Sequence, residues 1–229
     1  MTNDTSDLTR HAWRRTIASL LIFAAFLFVP AGTLRFWQGW FYALIFAGAS
    51  AIIGIYFRRH DPALLARRMR AGPAAEQEPA QKTIISAIII SFLLLVALPG
   101  FDHRWHWSAV PTWLVLVADA GVAASFVIFF VVMKQNSYAA STIQVEADQP
   151  VVSTGLYGIV RHPMYAGALL LMLCTPLALG SYWGLLVFIA TIPILAWRLL
   201  DEESFLRRNL PGYADYCIRV RWRLIPGIW

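Results

Sequence analysis

Long apolar stretches, separated by short charged segments, set the pattern of this chain. Four of them have about the 20 apolar residues that a helix needs to cross the hydrocarbon layer of a membrane. They are span 1 at residues 16–34, span 2 at 36–57, span 3 at 83–101 and span 4 at 111–133. Asp119 in span 4 is the single charged residue inside them. The pattern therefore predicts four membrane-crossing segments in the first half of the chain.

A fifth apolar stretch, residues 163–197, contains 35 uncharged residues, too many for one crossing and few for two. Gly180-Ser181 in its middle is typical of a turn, so we expect a tight hairpin of spans 5 and 6. The stretches are continuously apolar, whereas the strands of a membrane barrel would alternate. The predicted fold is an all-α, polytopic membrane helix bundle of about six spans.

Composition and charge agree with this architecture. The 229 residues are 59% hydrophobic and 14% charged, against roughly 45–50% and about 25% in soluble domains. This excludes an ordinary soluble enzyme, a disordered chain and a disulfide scaffold. Six spans place all of the 19 Lys and Arg residues except Arg35 and Arg104 on the side of both termini. The positive-inside rule makes that side cytoplasmic.

The same charge distribution bears on localisation and partners. The net charge of +6 is explained by contact with anionic membrane lipid rather than with nucleic acid. The short chain favours a bacterial inner membrane, with the active site on the cytoplasmic side. Arg14-Arg15, followed by an apolar run and Val29-Pro30-Ala31, also permits a signal peptide, although its removal would spoil the charge asymmetry.

Smaller features have simple structural explanations. Asp61-Pro62 predicts a capped helix that either lies on the membrane surface or forms a solvated connector, and neither alternative supplies chemistry. His103 and His106, beside Trp105 and Trp107, resemble an interfacial aromatic belt. Asp119 is either a functional group or a carboxyl bonded to a neighbouring helix. The two cysteines and the remaining residues show no spacing typical of a metal site.

Polar residues concentrate on the cytoplasmic side of the last third of the chain. Residues 134–162 form a connection far longer than the usual 2–8 residues between helices. It ends in Arg161-His162, just before a helix that begins at Pro163, where free N–H groups favour an anion.

Span 6 ends in Arg198 and in three consecutive carboxylates, Asp201-Glu202-Glu203. Negative charge is unfavourable at the C-terminal end of a helix, so either local arginines or a cationic ligand must offset it. In the tail that follows, Tyr213, Tyr216 and Val220 recur at helical spacing and predict a short helix that folds back towards the connection.

Several of these residues form an ordered motif, Gly155-Leu156-Tyr157-x-x-x-Arg161-His162-Pro163-x-Tyr165-x-Gly167, followed by Arg198-x-x-x-Glu202-Glu203 and Tyr213-x-x-Tyr216. The motif resembles that of the isoprenylcysteine carboxyl methyltransferase family, whose broader group includes phospholipid N-methyltransferases. The resemblance implies S-adenosylmethionine as the cofactor. Residues 1–135 would then hold spans 1–4, and residues 136–229 the methyltransferase-like region, together one membrane domain.

The resemblance and the polar residues around it give a candidate site. Arg198 would meet the carboxylate of the acceptor and act in catalysis. The candidate cofactor-binding residues are Gln144, Gln149, Pro150, Val151, Val152, Tyr157, Arg161, His162, Pro163, Met164, Tyr165, Glu202 and Glu203. A carboxylate acceptor needs no general base, whereas an amine or a thiol would need one, with Glu203 or Tyr216 as candidates.

The expected partner is a lipophilic small-molecule or lipid-modified acceptor, most simply an isoprenylcysteine-like carboxylate. Phospholipid amines and small thiols are alternative acceptors for the same chemistry. Two other classes remain open, an NADPH-dependent reductase of the sterol type and a non-catalytic or transport protein of the membrane.

Overall fold

The computed structural model describes residue 18 and residues 20–229, apart from residues 77, 147 and 148. All regular structure in this part of the chain is helical, which confirms the predicted all-α fold. The helices are α1 (Leu20–Ala31), α2 (Trp37–His60), α3 (Pro62–Met69), α4 (Pro79–Trp105), α5 (Thr112–Gln135), α6 (Pro163–Ala178), α7 (Gly184–Asn209) and α8 (Tyr213–Arg219). One-turn 3₁₀ helices lie at Pro73–Ala75 and Gly155–Gly158.

The predicted spans correspond to helices. α2, α4, α5 and α7 are long and apolar enough to cross a membrane, which confirms spans 2, 3, 4 and 6. α1 and α6 are shorter apolar helices. The predicted hairpin is present, because α6 ends before Gly180, whose φ of +76° makes the turn, and α7 follows directly. The start of span 1 and the charged part of the alternative signal peptide lie outside the described residues.

The two ends of the bundle differ in composition. One end carries residues 58–82, 134–162 and 198–229, and we call it the arginine-rich end. The opposite end exposes Trp37, Trp40, Trp105, Trp107, Trp113 and Trp183, and we call it the tryptophan-rich end. There His103 stacks on Phe36 with ring centroids 4.5 Å apart, in the interfacial region that the pattern indicates.

Close packing between helices fixes the position of α6. α5 packs along α6, α4 along α7, and α2 along α5. Gly121 of α5 faces the Cys174 side chain, and Gly167 of α6 lies so near α5 that an added Cβ would stand 2.9 Å from Phe129 Cε1. Small residues at such contacts let membrane helices approach closely. The first turn of α6, at Pro163, is thereby held at the arginine-rich end.

A buried carboxylate fastens the hairpin turn at the tryptophan-rich end. Asp102, which is 1% exposed, accepts hydrogen bonds from the backbone N–H of Ser108 at 2.7 Å and from its hydroxyl at 2.6 Å. The hydroxyl of Ser181 in the turn donates to the same carboxylate. The turn between α6 and α7 is therefore tied to the end of α4.

Gly100 offers a test of helix packing. A Cβ at Gly100 of α4 would lie 2.9 Å from Pro30 Cβ and 3.0 Å from the backbone N of Ala31, so Gly100→Ala forces α1 and α4 apart. Overpacking of this kind costs about 1–3 kcal/mol of unfolding free energy. Gly54→Ala in α2 is the matched control, because nothing lies within 4 Å of its added Cβ. Denaturant unfolding in detergent should show a lower unfolding free energy for Gly100→Ala and an unchanged one for Gly54→Ala. An equal decrease in both variants would contradict this packing.

Candidate functional site

A cavity of about 310 Å³ lies at the arginine-rich end, between α4, α6 and α7. The connection after α5 and helix α8 cover it. Thirteen of the fourteen residues proposed from the sequence line this cavity. They are Gln144, Gln149, Pro150, Val151, Val152, Tyr157, Arg161, His162, Pro163, Met164, Tyr165, Arg198 and Glu202. Both predicted regions of the chain contribute, since Arg68, Ile85 and Ile88 also line it.

Helix α8 holds the cover in place. Its residues Tyr213 and Tyr216 are buried and pack with Val145 and Val151 of the connection. The hydroxyl of Tyr216 donates a hydrogen bond of 2.7 Å to the carbonyl of Tyr157. This confirms the prediction that a short helix in the tail folds back onto the connection.

The tail after α8 also binds the segment that precedes α6. The backbone N–H groups of Arg161 and His162 donate to the carbonyls of Trp222 and Arg223, each at 2.9 Å. The free N–H groups expected for an anion are those of the first turn of α6, and the N–H groups of Arg161 and His162 just before it are not available. The tail occupies them, because a backbone donor that leaves water must find a partner inside the protein.

Glu203 is the centre of a buried ion-pair cluster. Its carboxylate is 3% exposed and lies 2.7 Å from Arg161 Nε, 3.3 Å from His162 Nε2 and 3.0 Å from Arg223 Nε. Arg207 Nη2 is 3.6 Å away. Glu203 was predicted to bind the cofactor, but it does not line the cavity. It joins α7 to the connection and the tail instead, since a buried carboxylate requires positive partners.

The other two carboxylates of the acidic run have different partners. Asp201 accepts from the side-chain amide of Gln81. Glu202 lines the cavity and accepts a 2.6 Å hydrogen bond from the hydroxyl of Tyr165. No Lys, Arg or His nitrogen among the described residues lies within 4 Å of the Glu202 carboxylate. Glu202 is therefore an anionic group of the cavity that no local cation neutralises by direct contact.

Arg198 is held by residues that the sequence analysis missed. It is 4% exposed, and its guanidinium pairs with Glu76 at 2.7 Å, donates to the Gln81 side chain and lies 3.3 Å from the carbonyl of Ser141. No motif or spacing links Glu76 or Gln81 to Arg198, which is more than 100 positions away. Glu76 is one of three acidic residues in the basic segment 58–82, with Asp61 and Glu78, so the sequence does not single it out.

Helix α3 has a larger role than the sequence indicated. Asp61 caps it by accepting from the N–H of Leu64 at 2.9 Å, as predicted. Arg67 forms a bidentate ion pair with Glu146 of the connection, in which Nε and Nη2 lie 2.6 and 2.8 Å from the two carboxylate oxygens. Arg68 reaches the cavity, and burial lowers the pKa of its guanidinium below the ordinary value. The guanidinium stays charged at neutral pH because the ordinary pKa of arginine exceeds 12.

The part of the cavity that reaches into the bundle is apolar. Ile85 and Ile88 line it from α4, Ala168 and Met172 from α6, and Leu195 from α7. These residues lie about one to four turns inside the helix ends, which corresponds to roughly 7–21 Å along the helix axes. We call this part the apolar slot. The site thus joins a polar chamber under the connection to an apolar slot among membrane helices.

The remaining candidates lie outside this chemistry or are already bonded. Asp119 is buried in α5 but does not line the cavity, and its oxygens have no hydrogen-bond partner in the described part of the chain.

Burial raises the pKa of Tyr157 to about 12 and raises the pKa of Tyr216 further above its ordinary value. Both hydroxyls therefore stay protonated at neutral pH. Within the described residues, no three His, Cys, Asp or Glu side chains form a group able to hold a metal.

The Glu203 cluster yields a stability prediction. Glu203→Gln leaves the buried Arg161 and the partly exposed Arg223 without their anion, which should lower the unfolding free energy by about 3–5 kcal/mol. Glu146→Gln breaks the half-exposed pair with Arg67 and should cost about 1 kcal/mol or less. Denaturant unfolding of both variants in detergent measures the difference. Equal, small decreases in the unfolding free energy of Glu203→Gln and Glu146→Gln would show that the cluster does not hold the site together.

Comparison with known proteins finds a family similarity in this region. Residues 113–211 match the family described as phospholipid methyltransferase. Two curated relatives are the Delta(14)-sterol reductase TM7SF2 of Mus musculus, 31% identical over 93 residues, and the Delta(14)-sterol reductase of Methylotuvimicrobium alcaliphilum, 30% identical over 95. The alignments cover 38% and 39% of this chain, and the chain spans 22% of the length of either relative. Residues 113–211, which include the end of the connection, α6 and α7, are thus similar to the phospholipid methyltransferase family.

Proposed function

We propose that this integral membrane protein transfers a methyl group from S-adenosylmethionine to a lipophilic acceptor. The observation that carries the proposal is the Glu202 carboxylate, which lines the covered cavity without a cationic partner among the described residues. A small cationic ligand would complete its electrostatics. The family match supports methyl transfer in general, and the cofactor and the acceptor are inferred from the site.

The polar and aromatic groups of the chamber are complementary to those of S-adenosylmethionine. S-adenosylmethionine supplies a methyl group on a sulfonium centre and also carries an ammonium and a carboxylate. Glu202 would bind the ammonium through a charge-assisted hydrogen bond. Tyr157 and Tyr165 would pack their rings against the adenine or the sulfonium cation. Gln144 and the Gln149–Val152 segment would form the cover, and the Arg161-His162 edge is the proposed position of the cofactor carboxylate.

The apolar slot supports a lipophilic acceptor. A hydrocarbon tail would lie against Ile88, Met172 and Leu195, while the reacting group faces the chamber. Such an acceptor would enter laterally from the membrane, and the soluble cofactor would enter from the water at the arginine-rich end. The positive-inside rule supports a cytoplasmic position for this end, in a bacterial inner membrane as proposed from the sequence.

The state of the polar groups favours an acceptor that is already ionised. Neither candidate base is available, since Glu203 is buried among cations and Tyr216 holds its proton. An isoprenylcysteine-like carboxylate needs no base, whereas an amine or a thiol does. Catalysis would then come from aligning donor and acceptor and excluding water. Arg198 makes three hydrogen bonds within the protein, which leaves part of its five N–H groups for the acceptor.

A reductase that uses NADPH is the second candidate, because both curated relatives named above are sterol reductases. The pyrophosphate and the 2′-phosphate of NADPH would require several cations in the chamber. Arg161 and Arg198 line the cavity but already pair with Glu203 and Glu76, so Arg68 is the one lining arginine without a carboxylate partner among the described residues. The charges of the cavity therefore favour the methyltransferase.

Calorimetric titration of the purified protein in neutral detergent tests the proposal. We expect saturable binding of S-adenosylmethionine by the wild-type protein. Glu202→Gln should weaken it about tenfold to a hundredfold, because one charge-assisted hydrogen bond is worth about 1.5–3 kcal/mol. Asp215→Asn is the matched control, since this exposed carboxylate of α8 does not line the cavity, and it should bind like the wild type.

The same titration with NADPH separates the two candidate functions. Binding of NADPH in place of S-adenosylmethionine would overturn the methyltransferase proposal. Equal weakening by Glu202→Gln and Asp215→Asn would show that Glu202 acts through general electrostatics and not through contact with the ammonium.

A further inference from the structure

Arg68 differs from the other arginines of the cavity in its partners. Arg161 and Arg198 each pair with a carboxylate, at 2.7 Å in both cases. Arg68 donates to the carbonyls of Ala139 and Ala140 at 3.4 Å, near the limit of a hydrogen bond. No carboxylate of the described residues lies within 4 Å of its guanidinium. Arg68 therefore lines the cavity as a cation without a neutralising partner in the described chain.

The surroundings make this an unusual place for such a charge. The side chain is partly buried, and its helix packs on apolar residues through Leu64, which contacts the cluster of Phe57 and Met133. Removing a guanidinium from water is unfavourable unless an anion or good hydrogen bonds replace the water. Two long bonds to carbonyls are a weak replacement. An anionic ligand in the cavity would supply the missing interaction.

A residue of the connection, Ser141, links the backbone of Arg68 to Arg198. The hydroxyl of Ser141 donates to the carbonyl of Arg68 at 2.9 Å, and the carbonyl of Ser141 accepts from Arg198 at 3.3 Å. One residue of the connection thus bridges the two arginines. Arg198 stands one helical turn from Leu195 of the apolar slot, so an anion bound by Arg68 would have the slot nearby for its tail.

We propose that Arg68 binds the anionic headgroup, a carboxylate or a phosphate, of an amphiphilic acceptor whose tail occupies the apolar slot. This inference rests on the proposed function, because it takes the slot to be the acceptor site. It assigns to α3 the recognition of the acceptor's charge. Arg198, which is already bound to Glu76 and Gln81, would have the smaller part in that recognition.

The experiment uses three amphiphiles with the same tail, namely dodecyl phosphate, dodecanoate and dodecylamine. Their binding to the full chain in neutral detergent is measured by calorimetry for the wild type and for Arg68→Gln. We expect both anions to bind the wild type and to lose about tenfold or more in affinity in Arg68→Gln. Tighter binding of the phosphate would indicate a phospholipid as acceptor, and tighter binding of the carboxylate a lipid-modified carboxylate.

Arg70→Gln is the matched control. It removes an equal charge from the residue just after the same helix, at an exposed position outside the cavity lining, and should keep wild-type affinity within about twofold. Arg68→Lys, which keeps the charge, should retain most of the anion binding. If Arg68→Gln does not fold, Arg68→Glu and Arg70→Glu, which reverse the two charges, are compared instead. Loss of anion binding in Arg68→Glu but not in Arg70→Glu would then support the inference.

Several outcomes would overturn the inference. Equal losses in Arg68→Gln and Arg70→Gln would indicate attraction to the basic surface alone. Unchanged anion affinity combined with a loss of S-adenosylmethionine binding would assign Arg68 to the cofactor carboxylate. Absence of anion binding by the wild type would show that the proposed anion site does not exist. A wild type that binds the anions but not S-adenosylmethionine would overturn the proposed function and leave the anion site standing.

Discussion

The ion pairs around Glu203 are the interaction on which the site depends. This carboxylate belongs to α7, Arg161 and His162 immediately precede α6, and Arg223 comes from the tail. One buried charge therefore connects the last membrane hairpin with both segments that cover the cavity. The two backbone hydrogen bonds from Arg161 and His162 to the tail reinforce it. Without the cluster, the apolar contacts of α8, the Tyr216–Tyr157 hydrogen bond and the Arg67–Glu146 pair would remain to hold the cover over the chamber.

The acidic run at the end of α7 illustrates how neighbouring charges acquire separate roles. Asp201 is bonded by Gln81, Glu202 by Tyr165, and Glu203 by several cations. Successive helical positions point about 100° apart, so each carboxylate faces a different element. The sequence left open whether local arginines or a ligand offset these charges. The structure gives a different answer for each carboxylate. Arginines offset Glu203, and Glu202 faces the cavity where we propose the cationic ligand.

Many features of the fold and some of the site could be predicted from local sequence. The hairpin turn at Gly180, the Asp61 cap and the amphipathic spacing of Tyr213 and Tyr216 each depend on residues a few positions apart. Glu203 is the one predicted site residue that does not line the cavity, because the motif that contains it does not reveal the direction in which each carboxylate points. The partners of Arg198 and the position of Arg68 were missed, since they depend on contacts between segments more than 50 residues apart.

The sequence by itself determined that this is a helical membrane protein with its polar chemistry at one end. Transfer of apolar residues into lipid is a property of each stretch and needs no knowledge of its neighbours. Only the tertiary structure decided which charges neutralise one another and which remain available to a ligand. Glu76 and Arg198 or Glu203 and Arg223 become partners through space. The arginine of the cavity that has no carboxylate partner among the described residues, Arg68, can be identified only from these pairs.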